Sequence, residues 1–170
     1  MKGLSFIVKF ENYFHFKFMT DKNALRTVIK EAFNGVVLEG VIGIREANAI
    51  DDYKDELFRE ECKKNDEKEN WDMITSSEMN KYNSALSFFD AKGMRFHLPA
   101  FMLAEIEGEY KWGMSFVLTN LSDYSKSQFA LLNKKQREAV RLFLEYLLQD
   151  PNYEFEKKDI ESAIKRYWSK

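Results

Sequence analysis

The nineteen residues from Phe88 to Ile106, FFDAKGMRFHLPAFMLAEI, constrain the fold more than any other stretch of this chain. The apolar run Leu86, Phe88, Phe89 is interrupted by Asp90, Lys92 and Gly93, and glycine is the residue that supplies the positive φ of a tight turn. Met94, Phe96 and Leu98 then alternate with Arg95 and His97, a period of two that predicts a short half-buried strand. Pro99 follows, at home in the first turn of a helix where its missing N–H costs nothing. A helix end, a glycine turn, a buried strand and a proline-started helix are thus predicted in quick succession.

Around this centre the chain reads as mainly helical. Thr20 or Asp21 can cap a helix that lines up Leu25, Val28, Ile29 and Phe33 and ends at Asn34-Gly35. Residues 36–43 (VVLEGVIG) read as a short strand or a buried loop. A helix resumes near Ile44 and runs, with a break, toward Cys62, and the polar stretch 63–70 (KKNDEKEN) reads as solvated. Thr75-Ser76-Ser77-Glu78 has the composition of a helix start, with Ser76 as the cap and Met79, Tyr82, Leu86 and Phe89 inward. Gly108 stops the proline-started helix, and Met114–Leu118 (MSFVL) reads as a second short strand. Asn133 caps a helix from Lys134 to Gln149 that Asp150-Pro151 ends, and a last helix runs from Glu156 to about Trp168. Ahead of all this, LSFIVKF and YFHFKFM flank Glu11-Asn12, and Phe14, Phe16 and Phe18 alternate with His15 and Lys17. That pattern predicts an N-terminal β-hairpin, which is marginal alone and must dock, swap or form an adhesive edge. The predicted fold class is mainly α (α+β): one domain over residues 1–170, a helical body from 21 with a short central strand pair, and a hairpin extension over 1–20.

The central phrase, preceded by Trp71 and followed by FALLNKKQREAVRLFLEYL (Phe129 to Leu147), resembles an uncharacterised bacterial family known only as a domain of unknown function. Its core reads W…FL-x-x-x-G-x-R-F-x-L-P-A, with a late helix Q-x-x-x-[AV]-x-x-F-L. The matching residues here are Trp71, Phe88, Phe89, Gly93, Arg95, Phe96, Leu98, Pro99 and Ala100, then Gln136, Val140, Phe143 and Leu144. His97 stands where a tyrosine is more usual. The likeness runs from about Asp21 to Leu148 and implies kinship without an activity; some families of this kind include partners of secreted toxins.

Composition narrows the function classes. A chain of 170 residues with 45% hydrophobic and 15% aromatic content can bury a real core, and fifteen phenylalanines against two prolines favour long regular elements. A formal charge of −2 exerts no global pull on nucleic acid. From Lys126 to Lys170 ten cations face seven carboxylates, an excess that ordinary amphipathic helices accommodate. A single cysteine, Cys62, excludes an internal disulfide and a cysteine-rich metal site, and acidic neighbours Glu60, Glu61 and Asp66 oppose thiolate formation. With no signal-peptide pattern and no eighteen-residue apolar run, the expected location is cytoplasmic and away from membranes.

No P-loop, G-x-G-x-x-G, G-x-S-x-G or H-E-x-x-H occurs, and two histidines cannot build a His-rich metal site. Neither a cofactor nor a catalytic residue is therefore expected. Two groups remain. The first is acidic: residues 46–69 hold ten carboxylates against five cations, among them Asp51, Asp52, Asp55, Glu56, Glu60 and Glu61. A solvated helix face with pairs such as Asp55–Arg59 and Glu60–Lys64 explains such a run; a surface complementary to a basic protein partner, such as a toxin, is the functional reading. The second is Arg95 and His97 on the predicted strand with Glu105 on the adjoining helix. They read either as an ion pair and a packed imidazole or as a small-ligand or acid–base site. The sequence thus predicts a non-catalytic protein-interaction domain of the immunity or inhibitor kind, monomeric or dimeric through its N-terminal strands, with a ligand site at Arg95, His97 and Glu105 as the alternative.

Overall fold

The computed structural model describes residues 21–170, and among them no strand forms. Nine α-helices follow in order: α1 (Lys22–Ala32), α2 (Ile44–Asp51), α3 (Glu56–Asn65), α4 (Ser76–Lys81), α5 (Ala91–Ile106), α6 (Ser115–Thr119), α7 (Asp123–Gln128), α8 (Lys134–Leu147) and α9 (Lys157–Ala163). Short 3₁₀ turns cover Trp71–Met73, Asn83–Ser87 and Pro151–Tyr153, and α9 runs on into a π turn, Ile164–Trp168. The predicted N-terminal hairpin lies outside the described residues.

The predicted central strand pair is corrected on both sides. Met94–Leu98 belongs to α5 and Met114–Leu118 runs into α6. The alternation misled because α5 is buried on every side: twelve of its sixteen residues are buried, from Gly93 to Ile106. A helix packed all round shows no amphipathic stripe, so a lone Arg95 between buried Met94 and Phe96 imitates a strand. Pro99 sits inside α5 rather than at its start. An interior proline costs a helix about 3 kcal/mol by removing a donor and crowding the preceding turn, and packing on all faces outweighs it.

Gly93 has a different task from the one expected. It lies within the first turn of α5, where its N–H donates to the capping Asp90 Oδ1 at 2.7 Å. A Cβ at this position would meet the Ile42 carbonyl oxygen at 2.7 Å. The glycine therefore lets the loop before α2 lie against α5, a matter of space and not of φ.

Helix α5 packs against α1, α4, α7 and the Trp71–Met73 turn, and α1 in turn packs against α8. The indole N–H groups of two buried tryptophans tie distant segments: Trp71 donates to the Phe33 carbonyl at 2.9 Å and Trp168 to the Leu118 carbonyl at 2.9 Å. Gln128 Nε2 donates to the carbonyls of Leu86 and Phe89, fastening α7 to the chain entering α5. The expected caps Asp21 and Asn133 are in place, Asn133 with a full capping box through Gln136. Thr75, not Ser76, caps α4. Substituting Gly93→Ala is expected to destabilise the protein by about 1–3 kcal/mol in denaturant unfolding through overpacking, against the gain of about 1 kcal/mol that helix propensity alone would give.

Candidate functional site

Helices α2 and α3 form a hairpin, joined by residues 52–55, that carries the acidic run. Its base is anchored by a buried carboxylate. Asp66, just past α3, accepts from the backbone N–H groups of Arg45 (2.8 Å) and Glu46 (3.3 Å) at the start of α2. Burial pushes the Asp66 pKa up, and the two amides offset that only in part. Asp66 is buried although residues 63–70 read as solvated. Gly43 makes room for it: a Cβ there would stand 2.2 Å from the Asp66 Oδ2. Arg45 reaches out to Glu78 on α4 at 2.5 Å, and buried Glu46 meets Arg59 on α3 at 3.4 Å.

The expected pairs Asp55–Arg59 and Glu60–Lys64 do not form. Asp55 caps α3, its Oδ1 accepting from the Phe58 N–H at 2.9 Å, so Arg59 turns to Glu46 and Lys64 to Glu61. Asp52 accepts from Asn48 Nδ2 at 3.1 Å. Asp51, Glu56 and Glu60 make no ion pair among the described residues, and of the six predicted carboxylates only Asp51 is even partly sheltered. Helix α3 buries no residue at all.

Large apolar side chains crown this acidic hairpin, a feature that charge counting missed. Tyr53 is 96% exposed, Leu57 85% and Phe58 51%. Tyr53 is also the one non-glycine residue with positive φ (+53°) among the described residues. It stands at the left-handed position that closes α2, with its own N–H on the Ile50 carbonyl and the Lys54 N–H on the Ala49 carbonyl, a Schellman ending. The same ending closes α5, where Gly108 takes the left-handed position at φ +73°. A cleft of about 380 Å³ lies beneath the hairpin, lined by Arg45, Asn48, Asp52, Phe58, Cys62 and Tyr82 among others. Burial first, and then Asp66, raise the Cys62 pKa, which keeps its sulfur a thiol.

The other predicted group is taken apart. Arg95 pairs with Glu39 at 3.0 Å beside Lys92 at 2.7 Å; the Lys92 ammonium, then Arg95, hold the Glu39 carboxyl below its usual range. His97 is buried in the core, stacked on Phe89 at 4.1 Å with Phe96 edge-on. Its Nδ1–H donates to the Gly93 carbonyl at 2.7 Å, and Nε2 is buried without a partner among the described residues. Glu105, eight residues along α5 and thus about 12 Å away by helical rise, faces a separate cleft with Tyr110 and Asp150. The three do not converge, so no acid–base site forms from them.

Residues 21–170 match the model of a family described as of unknown function, DUF6714. The chain belongs to that family. No curated protein and no solved structure matches it. Most residues that carried the sequence resemblance are core: Trp71, Phe89, Phe96, Leu98, Ala100, Gln136, Val140, Phe143 and Leu144 are all buried, while Phe88 and Arg95 are partly exposed. They specify how DUF6714 helices pack and leave chemistry unspecified. Among the described residues, no group of three or more His, Cys, Asp or Glu is placed to hold a metal, and no helix is long and apolar enough to cross a membrane.

Burial lowers the His97 pKa from 6.5 to about 4. The unfolded imidazole therefore binds a proton in a range where the folded one does not, and stability falls as pH drops from 6.5 toward 4. The full effect is about 3 kcal/mol. Glu105, raised to about 7, works the other way, losing stability as pH rises from 4.5 through 7. Comparing His97→Leu with the native chain cancels the Glu105 contribution. The variant is expected to lack the loss between pH 6.5 and 4, measured by denaturant unfolding at each pH.

Proposed function

We propose that the chain is a non-catalytic protein-interaction domain that presents the α2–α3 hairpin to a basic partner. The observation that supports this most is α3, ten residues long with none buried. Single exposed apolar residues are ordinary. Tyr53, Leu57 and Phe58 lie within six residues of one another and are rimmed by Asp51, Asp52, Asp55, Glu56, Glu60 and Glu61. An aromatic and aliphatic centre with a charged rim is the composition of a protein interface. The rim carboxylates speed encounter with a cationic partner and set its orientation, while the apolar centre supplies the holding energy.

The finer reading is a bacterial, cytoplasmic immunity or inhibitor protein. Its target would be a basic toxin acting on nucleic acid, with the carboxylates lying in the phosphate-binding groove and Tyr53 and Leu57 seated beside it. Tyr53 adds a second line of support. Glycine would close α2 more cheaply at this left-handed position, so a bulky, fully exposed side chain there serves something other than the fold. Tyr53→Gly is expected to raise unfolding stability by about 1 kcal/mol and to weaken partner binding at least tenfold.

Mixing the chain with a basic nucleic-acid-cleaving toxin encoded in the same genome is the direct test, with stoichiometric inhibition expected. Exchanging Asp52, Glu56 and Glu60 for Asn, Gln and Gln is expected to slow association about tenfold at low salt and far less at high salt. Equal rates for both proteins at low salt, or a Tyr53→Gly chain that still inhibits fully, would refute the hairpin as the binding surface.

A further inference from the structure

We propose that the cleft at the C-terminal end of α5 binds a small organic cation, an alkylammonium or alkylguanidinium. Glu105 and Asp150 would supply the charge, and Trp112, Tyr146 and Tyr153 the aromatic walls. The cleft measures about 530 Å³, within the range of small-molecule sites, and it is separate from the α2–α3 hairpin.

Glu105 is the only one of the predicted ligand residues to reach it. Its Oε2 is buried and receives no hydrogen bond among the described residues. Its Oε1 lies 4.0 Å from the point where a Gly113 Cβ would stand, and the Tyr153 hydroxyl lies 3.7 Å from that same point. Both groups thus stand in ordinary contact distance of one point, so carboxyl and phenol line the same gap beside Gly113, whose φ is +74°. Asp150 caps the 3₁₀ turn that carries Tyr153, accepting from the Asn152 N–H at 2.9 Å. Trp112 leaves 65% of its surface exposed at the rim.

The charges around the cleft leave one role open. Glu107 is met by Lys22 and Arg26, each at 2.6 Å. Lys111 also lines the cleft and forms no ion pair with Glu105 or Asp150. Burial, reinforced by the Asp150 charge, lifts Glu105 to about 7, and burial with the nearby Glu105 lifts Tyr110 to about 12. Near neutral pH the Glu105 carboxyl is therefore partly protonated, and an entering cation would displace that proton. Ammonium and guanidinium groups suit this combination, since carboxylates neutralise them and aromatic faces attract them. Glu107 is taken up by Lys22 and Arg26, and no group of three or more His, Cys, Asp or Glu is placed to hold a metal among the described residues.

The test uses the full chain, with n-butylammonium and n-butylguanidinium as probes and n-butanol as the neutral control, followed by NMR at the Trp112 indole and the Gly113 amide. Saturable shifts are expected for the cations and none for the alcohol. Because binding expels the Glu105 proton, affinity is expected to rise severalfold from pH 6 to pH 8. Glu105→Gln should weaken binding at least tenfold and abolish that pH dependence. Asp150→Asn, which keeps a cap oxygen, should weaken binding without unfolding the turn. Equal response to butanol, cation shifts confined to the α2–α3 hairpin, or a Glu105→Gln chain that binds as before would each overturn the assignment.

Discussion

The enclosure of α5 is the constraint on which the rest of the structure depends. A sixteen-residue helix with twelve buried positions must be surrounded, and the short flanking helices are arranged to do that. α1 covers it and bridges to α8, α7 is pinned to the segment entering it by Gln128, and the loop before α2 reaches it over Gly93. The same enclosure lets a proline and a histidine occupy the interior. Pro99 gives up a backbone donor and His97 gives up its charge, each paid for by the packing of its neighbours. The imidazole keeps one hydrogen bond, to Gly93, which also holds its ring against Phe89.

Polar groups inside the body serve geometry. Gln136, Gln128, Trp71 and Trp168 each satisfy a backbone group or a cap, so the core gains orientation as well as area. Asp66 does the same for α2, fixing the base of the acidic hairpin against α4 through neighbouring Arg45 and Glu78. A rigid base beneath an exposed tip is what a recognition element requires, because less ordering entropy is lost when the partner docks. The two surfaces singled out, the hairpin and the Glu105 cleft, differ in character: one is acidic with exposed apolar side chains, the other a cleft with a partly buried carboxyl.

Much of the helical plan was legible in the sequence, because α1, α8 and α9 have apolar stripes that recur at helical spacing and α1 and α8 begin at strong caps. Asp21, Asn133 and Gly108 stand where their side-chain chemistry predicts. The central strand was misread because periodicity reports how many faces of an element are wet, and α5 has almost none. Met114–Leu118 misled in the same way on a smaller scale, with Met114 and Leu118 buried beside exposed Phe116 in too few residues to tell the periods apart. The acidic hairpin was visible as charge, while its apolar crown was not, since the exposure of Tyr53, Leu57 and Phe58 is set by packing and not by residue type.

The sequence by itself determined that this chain folds around the Phe88–Ile106 segment, that residues 46–69 carry an excess of acidic side chains, and that it carries no known catalytic signature. Those properties reside in residue type and local spacing. Only the tertiary structure decided that Arg95, His97 and Glu105 part company, that Asp66 turns inward while Tyr53 turns out, and that Glu105 comes to face Asp150. Each of those outcomes depends on which helix faces cover one another, and contacts between residues dozens of positions apart leave no periodicity to read.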